Sequence, residues 1–242
     1  MRIATSLVLA GLLSSLTALN GEDQKKTEKS LVKKIGPHTY RVGLVEIDAK
    51  TREISIPVIV NQREGGPIEY ILVTETGKVH EAILTTAASP LNVQIALKLL
   101  KYKVGTGDIF DKLLPSEDRK VKGEKSDDRG AAVDVMVKWK EGEMEKTAFI
   151  NEWVIDGESI KKEGDAGTPM PEHPWFYTGS VIYEGRFLGE AEGSIIAIYL
   201  DPVSLFNTTV PGAEIDERWG ANHKAIPEIG TKARLLIRPM KK

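Results

Sequence analysis

From Thr39 onward, apolar residues recur at every second position more often than at helical spacing. Tyr40–Ile47 has strand composition, Asp48–Thr51 is turn-like, and Glu53–Val60 reads as a second strand. Pro57 has no N–H to give a ladder, which predicts an edge strand or a bulge there. Arg63–Pro67 turns the chain. Ile68–Thr74 and Val79–Thr86 then predict a hairpin across Glu75–Lys78, with Gly77 supplying a positive φ. Ser89 can cap and Pro90 can open a helix over about 89–102, with Leu91, Ile95, Leu99 and Tyr102 recurring at helical spacing. Ala131–Trp139 alternates, with Val133, Val135, Val137 and Trp139 on one face, and Lys146–Ile150 returns beside it. Trp175–Tyr183, Gly193–Leu200 and Thr231–Arg238 read as further strands. In the last of these Ala233, Leu235 and Ile237 share one face, and Lys232, Arg234, Leu236 and Arg238 the other. The fold class predicted is β-rich α+β, with mixed or antiparallel sheets of about ten strands and one main helix.

The N-terminus breaks this pattern. Arg2 precedes an apolar run, Ile3–Leu13, and then a small, polar stretch to Asn20. That layout is a secretory signal peptide over residues 1–19. The run is shorter than the ~20 residues a membrane-spanning helix requires. Residues 20–35 are charged and read as a flexible leader, which leaves 36–242 as a single β-rich domain. The expected location is therefore outside the cytoplasm, periplasmic or extracellular, with no transmembrane anchor once the signal is removed. Residues 105–130 are polar with little periodicity, either a surface insertion or a loop over a site.

Charge and cysteine usage narrow the chemistry. The chain carries 33 basic and 35 acidic residues, a net charge of −2. No basic stripe tracks phosphates, so nucleic acid is not an expected partner. There are no cysteines. Disulfides, thiolate zinc sites, iron–sulfur clusters, a cysteine nucleophile and a lipid-modified cysteine are all excluded. No G-x-S-x-G, P-loop or dinucleotide fingerprint is present. No cofactor is expected; the partner expected is a small-molecule, glycan or protein ligand.

His80 and Glu81 are the candidate site in the second run of the predicted hairpin. In a strand they point to opposite faces, and apolar residues on both faces predict a covered strand with one or both partly buried. A buried carboxylate needs a partner, so the pair is either a ligand-contacting or acid–base site or a structural polar network. His80-Glu-Ala-Ile-Leu84 superficially resembles the H-E-x-x-H zinc motif. Its fifth residue is Leu84, and on a strand residues four apart lie about 13 Å apart, too far to share an ion. No metal site is expected. Trp219 and Asn222, in a polar stretch, and Trp175, after a Pro-rich loop, are candidates for stacking and hydrogen bonding to a ligand. For both Trp175 and Trp219 the alternative is core packing.

The block Gly66-Pro-Ile-Glu-Tyr…Gly77-Lys-Val-His80-Glu81 resembles the YdjY-type domain of exported bacterial proteins. The following helix, Trp175–Ser180, Asp201-Pro202 and Trp219-x-x-Asn222 fit the same pattern. The resemblance covers roughly residues 35–240 and highlights His80, Glu81, Trp219 and Asn222. It implies export and domain extent but no established activity. Some members are described as ferredoxin-like or cluster-binding, a role that a chain without cysteine does not share. The function expected is an exported, non-enzymatic ligand- or partner-binding module. The alternative is a hydrolase or metal-dependent enzyme using His80 or Glu81.

Overall fold

The computed structural model describes residues 31–106, 109–110, 128–162 and 167–240. The predicted signal peptide, most of the leader and most of the 105–130 stretch lie outside them.

The alternation at the start becomes an antiparallel meander of β1 (Val32–Lys34), β2 (Thr39–Val42), β3 (Val45–Asp48) and β4 (Glu53–Val60). β1 thus falls within the stretch read as leader. In β4 Ile54, Ile56, Val58 and Val60 are buried and their neighbours are not, as period two dictates. Pro57 sits inside this long strand rather than at a sheet edge. Its carbonyl accepts from Thr86 Oγ1 (2.7 Å), so its missing N–H faces the gap between the β3 and β6 pairings, away from the next ladder.

β5 (Tyr70–Thr74) and β6 (Ala82–Thr86) correct the hairpin expectation, because they pair in parallel with Tyr70 beside Ala82 and Thr74 beside Thr86. Residues 75–81 therefore carry the chain back along β5 before β6 begins. Gly77 does not take a positive φ. A Cβ there would lie 3.1 Å from Glu192 O and 3.2 Å from Gly193 O, so it is close approach that requires glycine. Both strands are covered on both faces: β6 is buried throughout and β5 at all but Thr74.

Helix α1 (Pro90–Leu99) forms as capping predicts. Ser89 Oγ accepts from Asn92 N–H and Pro90 takes the first position. Its buried stripe differs from the expected one. Pro90, Val93, Ala96 and Leu97 face inward, while Leu91 and Leu99 are exposed. Small Ala96 and β-branched Val93 let the helix settle closely on β2 and β3.

β7 (Ala132–Glu141) and β8 (Met144–Phe149) form the second predicted hairpin. Next come β9 (Val154–Asp156), β10 (Thr168–Pro169), β11 (Trp175–Tyr177), β12 (Ile182–Tyr183) and β13 (Arg186–Phe187). A short helix α2 (Leu188–Glu192) and β14 (Ser194–Ala197), β15 (Phe206–Thr208), β16 (Trp219–Ala221) and β17 (Lys232–Pro239) complete the described chain.

Pairing decides the architecture. β4–β17–β7–β11–β15–β14–β5–β6 run in order, and β6 returns to β4 through Ile59↔Thr85 and Val60↔Leu84. The predicted open sheets are instead an eight-stranded closed barrel, with β1–β3 and β8 as extensions of the same sheet. Closure removes the free edges that an open sheet would present. Ladders are antiparallel except β14–β15 and β5–β6. β10–β9–β16 form a separate small sheet, and β12–β13 a hairpin. The main core gathers Ile54, Ile56, Val135, Val137, Leu235 and Ile237 with Tyr177, Phe206, Trp153 and Trp175.

Candidate functional site

Where β5 begins, the backbone is fixed on three sides. Ile68 N–H donates to Trp219 O (2.8 Å), and Glu69 N–H donates to Glu81 O (3.0 Å). Glu69 O accepts from the N–H groups of Ile198 (2.7 Å) and Tyr199 (3.2 Å). Glu69 is therefore held in one place, half-buried, at the entrance to a strand covered on both faces.

Its carboxyl meets other carboxyls. Burial first, then a hydrogen bond with Asp216 and the negative charges of Glu81 and Asp216, push Glu69 up to about 7; the Lys78 ammonium opposes the shift. A carboxyl–carboxyl hydrogen bond needs a proton, so at neutral pH Glu69 is partly protonated and sensitive to any arriving cation.

Next to it runs a polar chain. Lys78 Nζ donates to Tyr70 Oη (2.8 Å), and Tyr70 Oη donates to Asp201 Oδ2 (3.2 Å). Asp201 also accepts from Ser204 Oγ (3.1 Å) and Val203 N–H (2.8 Å). Buried Asn207 fixes the loop, accepting from Asp201 N–H (2.8 Å) and donating to Asp201 O (3.0 Å). Burial and the charge of Asp201 push the Tyr70 phenol far up, so it stays protonated as a bridge. The Lys78 ammonium lies 5.1 Å from the Tyr70 ring centroid. Lys78 thus bears on Glu69 directly and on Asp201 through Tyr70, while Glu81 and Asp216 press on Glu69 from other segments of the chain.

The sequence candidates fare differently. His80 and Glu81 do not lie in a strand: Val79–Glu81 is a 3₁₀ turn in the return between β5 and β6. Asn61 Nδ2 ties that turn down by donating to Val79 O (2.6 Å) and Ala82 O (2.8 Å). The side chains do not point to opposite faces either; His80 Nε2 and Glu81 Oε1 lie 3.0 Å apart. The His80 side chain is 74% exposed and that of Glu81 29%, so of the two only Glu81 faces the cluster.

Trp219 lies in β16 rather than a loop, and its ring is buried. Nε1 donates to Gly212 O (3.1 Å), and the Arg218 guanidinium stands 5.4 Å from the ring centroid. Its contribution to the cluster is the carbonyl that anchors Ile68. Asn222 is a backbone clamp: Nδ2 donates to Glu152 O (2.8 Å) and its N–H to Trp153 O (2.9 Å). Trp175 is core, its Nε1 donating to Asn151 Oδ1 (3.4 Å). Its edge also reaches a cavity of about 180 Å³ shared with Phe149, His173 and Pro174. Burial, helped by the charge of Arg129, pushes His173 down, and its Nε2 lies 3.0 Å from Thr209 Oγ1.

Glu69, Tyr70, Lys78, Asp201 and Asp216 carry the cluster yet were not candidates from sequence. Three of them stand in the block that carries the family likeness. The signal available was a Glu-Tyr pair at the mouth of a strand apolar on both faces. Asp201 carried only its place in the family pattern, and Asp216 gave no signal. Among the described residues no group of three or more His, Asp or Glu side chains has the geometry to hold a metal ion.

No curated protein and no solved structure matches the chain. Residues 45–238 match the YdjY domain, most of the chain and every strand of the closed barrel to within one residue of its end, and the protein belongs to the YdjY domain family.

Proposed function

We propose that the chain is an exported, non-enzymatic binding module of the cell envelope or extracellular space, and that the carboxylates around Glu69 receive a cationic amine of its ligand. The observation that carries this reading is the meeting of Glu81 and Asp216 at the Glu69 carboxyl, with Asp201 reached through the Lys78–Tyr70 hydrogen-bond chain beside it. Like charges held together raise one another's proton affinity, and an amine relieves that repulsion as a proton does. Lys78 beside Tyr70 displays related chemistry within the chain: an ammonium donating to a phenol oxygen that itself contacts a carboxylate. Export rests on the Arg2, Ile3–Leu13 layout.

The test is thermal shift and calorimetric titration of the full chain with spermidine at low ionic strength. Saturable stabilisation is expected, with at least about tenfold weaker binding in Glu69→Gln and Asp216→Asn, each of which removes one carboxylate. A melting temperature indifferent to spermidine, or equal affinity in both variants, overturns the reading.

A second reading has one observation in its favour, a Glu69 carboxyl near neutrality, the range suited to a proton donor. Under it the protein is an acid–base hydrolase with Glu69 as the donor and Glu81 beside it, rather than one centred on His80. Mass spectrometry of the bound compound separates the two: recovery unchanged supports binding, and recovery as a hydrolysed product supports the enzyme.

A further inference from the structure

A second concavity is built from other parts of the chain. The β7–β8 register sets Trp139 opposite Lys146, and β17 places Ala233 on the other side of Trp139. Arg63 follows β4, and Lys224 and Glu228 lie in the segment before β17. Together with Lys140 these residues line a cavity of about 300 Å³. It shares no residue with the Glu69 cluster, and its charge is opposite: Arg63, Lys140, Lys146 and Lys224 face two carboxylates, Glu141 and Glu228. Those two are already engaged, Glu228 by Arg63 and Glu141 by Lys146. Among the described residues Lys140 and Lys224 have no carboxylate partner, so the wall keeps a positive surplus. Arg63 is held in position by donating to His223 O (2.7 Å) as well.

Two residues of the wall also carry unmet donors. Arg63 Nε and Trp139 Nε1 are buried and have no hydrogen-bond partner among the described residues. Such groups are uncommon in folded proteins, and each favours an incoming acceptor. The indole of Trp139 is half-buried and packs edge-on against Trp153 (centroids 5.4 Å apart, planes at 69°), which fixes its plane. Surplus cations, two unmet N–H donors and a fixed aromatic surface specify one kind of occupant.

We propose that this cavity binds a small organic anion: a carboxylate or phosphate group held by Arg63, Lys224 and the Trp139 N–H, attached to a flat apolar body that lies on the indole. The volume suits a small molecule rather than a polymer. The site is independent of the amine reading above, and either stands if the other fails.

The test is isothermal titration of the full chain at pH 7 and low salt with benzoate, phenyl phosphate and the neutral benzamide. Benzoate or phenyl phosphate is expected to bind saturably, and whichever binds more tightly identifies the anion. Benzamide is expected to bind at least about tenfold more weakly, the loss of one charge-assisted contact. Lys224→Gln removes an exposed charge, and Trp139→Phe removes the N–H while keeping a ring. Each is expected to weaken the anion about tenfold while Glu69→Gln leaves it unchanged. Absence of saturable binding by both anions, equal binding of benzamide, or unaltered affinity in both cavity variants overturns the proposal.

Discussion

A carboxyl that keeps its proton near neutrality ties the charge of Glu69 to the stability of the fold. The group ordinarily titrates at 4.5 and is raised to about 7 in the folded chain by burial, Asp216 and Glu81, against Lys78. Between those values the unfolded chain has released a proton that the folded chain retains. Folding therefore binds a proton there, and stability falls as pH rises through the window, with the full contribution present below 4.5. His173 is pushed down from 6.5 and gives the opposite slope just below that value, so the contrast with Glu69→Gln isolates Glu69. Calorimetric melts at pH 5 and pH 8 are expected to show wild type losing more melting temperature at the higher pH than Glu69→Gln does. Equal losses would remove Glu69 as the responsible group. The sequence directed attention to His80 and Glu81 because a His-Glu pair looks like chemistry wherever it stands. Glu69, eleven residues before His80, looked like an ordinary edge of an apolar run. Its role comes from Asp216, nearly 150 residues away, and residue type alone carries no trace of that contact.

Elements were legible where their cause is local. Ser89 and Pro90 announced α1, and alternation announced β4, β7 and β17, in β7 and β17 with the apolar face that is buried. Pairing was not legible, because it depends on what lies alongside in space. Val79–Glu81 continued the apolar pattern of β6, yet the return to a parallel register bends those residues into a turn. The exposed stripe of α1 likewise looked as good in sequence as the buried one, and contact with β2 and β3 made the choice. β17 has the largest such hidden consequence, since it pairs β4 on one edge and β7 on the other. A chain ending at Gly230 opens both ladders and removes the fully buried Leu235 and Ile237, each worth about 1.5–3 kcal/mol in burial alone. With the two ladders lost as well, the deficit approaches the 5–15 kcal/mol that holds a typical domain together. The truncated chain is expected to lack a cooperative thermal transition by circular dichroism. A sharp melt within about 5 °C of wild type would mean that β4 and β7 hold without β17.

At the scale of the whole molecule, closure joins the two ends of the described chain: β4, early in sequence, is bonded to β17, the last strand. A barrel with this topology cannot close until its C-terminal segment has been made, and pairings this far apart in sequence form slowly. Slow closure of this kind is compatible with threading across a membrane, the step that the proposed export from Arg2 and Ile3–Leu13 requires. The proposed cut falls ahead of the described elements. The first described element, β1, begins at Val32, so cleavage near residue 19 leaves every described strand and helix intact. Two outcomes are expected together. N-terminal sequencing of protein recovered from outside the cytoplasm should begin within a few residues of Asn20, and a chain started at Asn20 should melt at the temperature of the full chain. Recovery of the protein only inside the cell with Met1 in place would overturn export. A lower melting temperature for the shortened chain would instead assign the N-terminal residues a part in the fold. The first outcome bears on the compartment in which the two proposed sites are tested for ligands, and the second on whether the barrel is complete without the residues before Asn20.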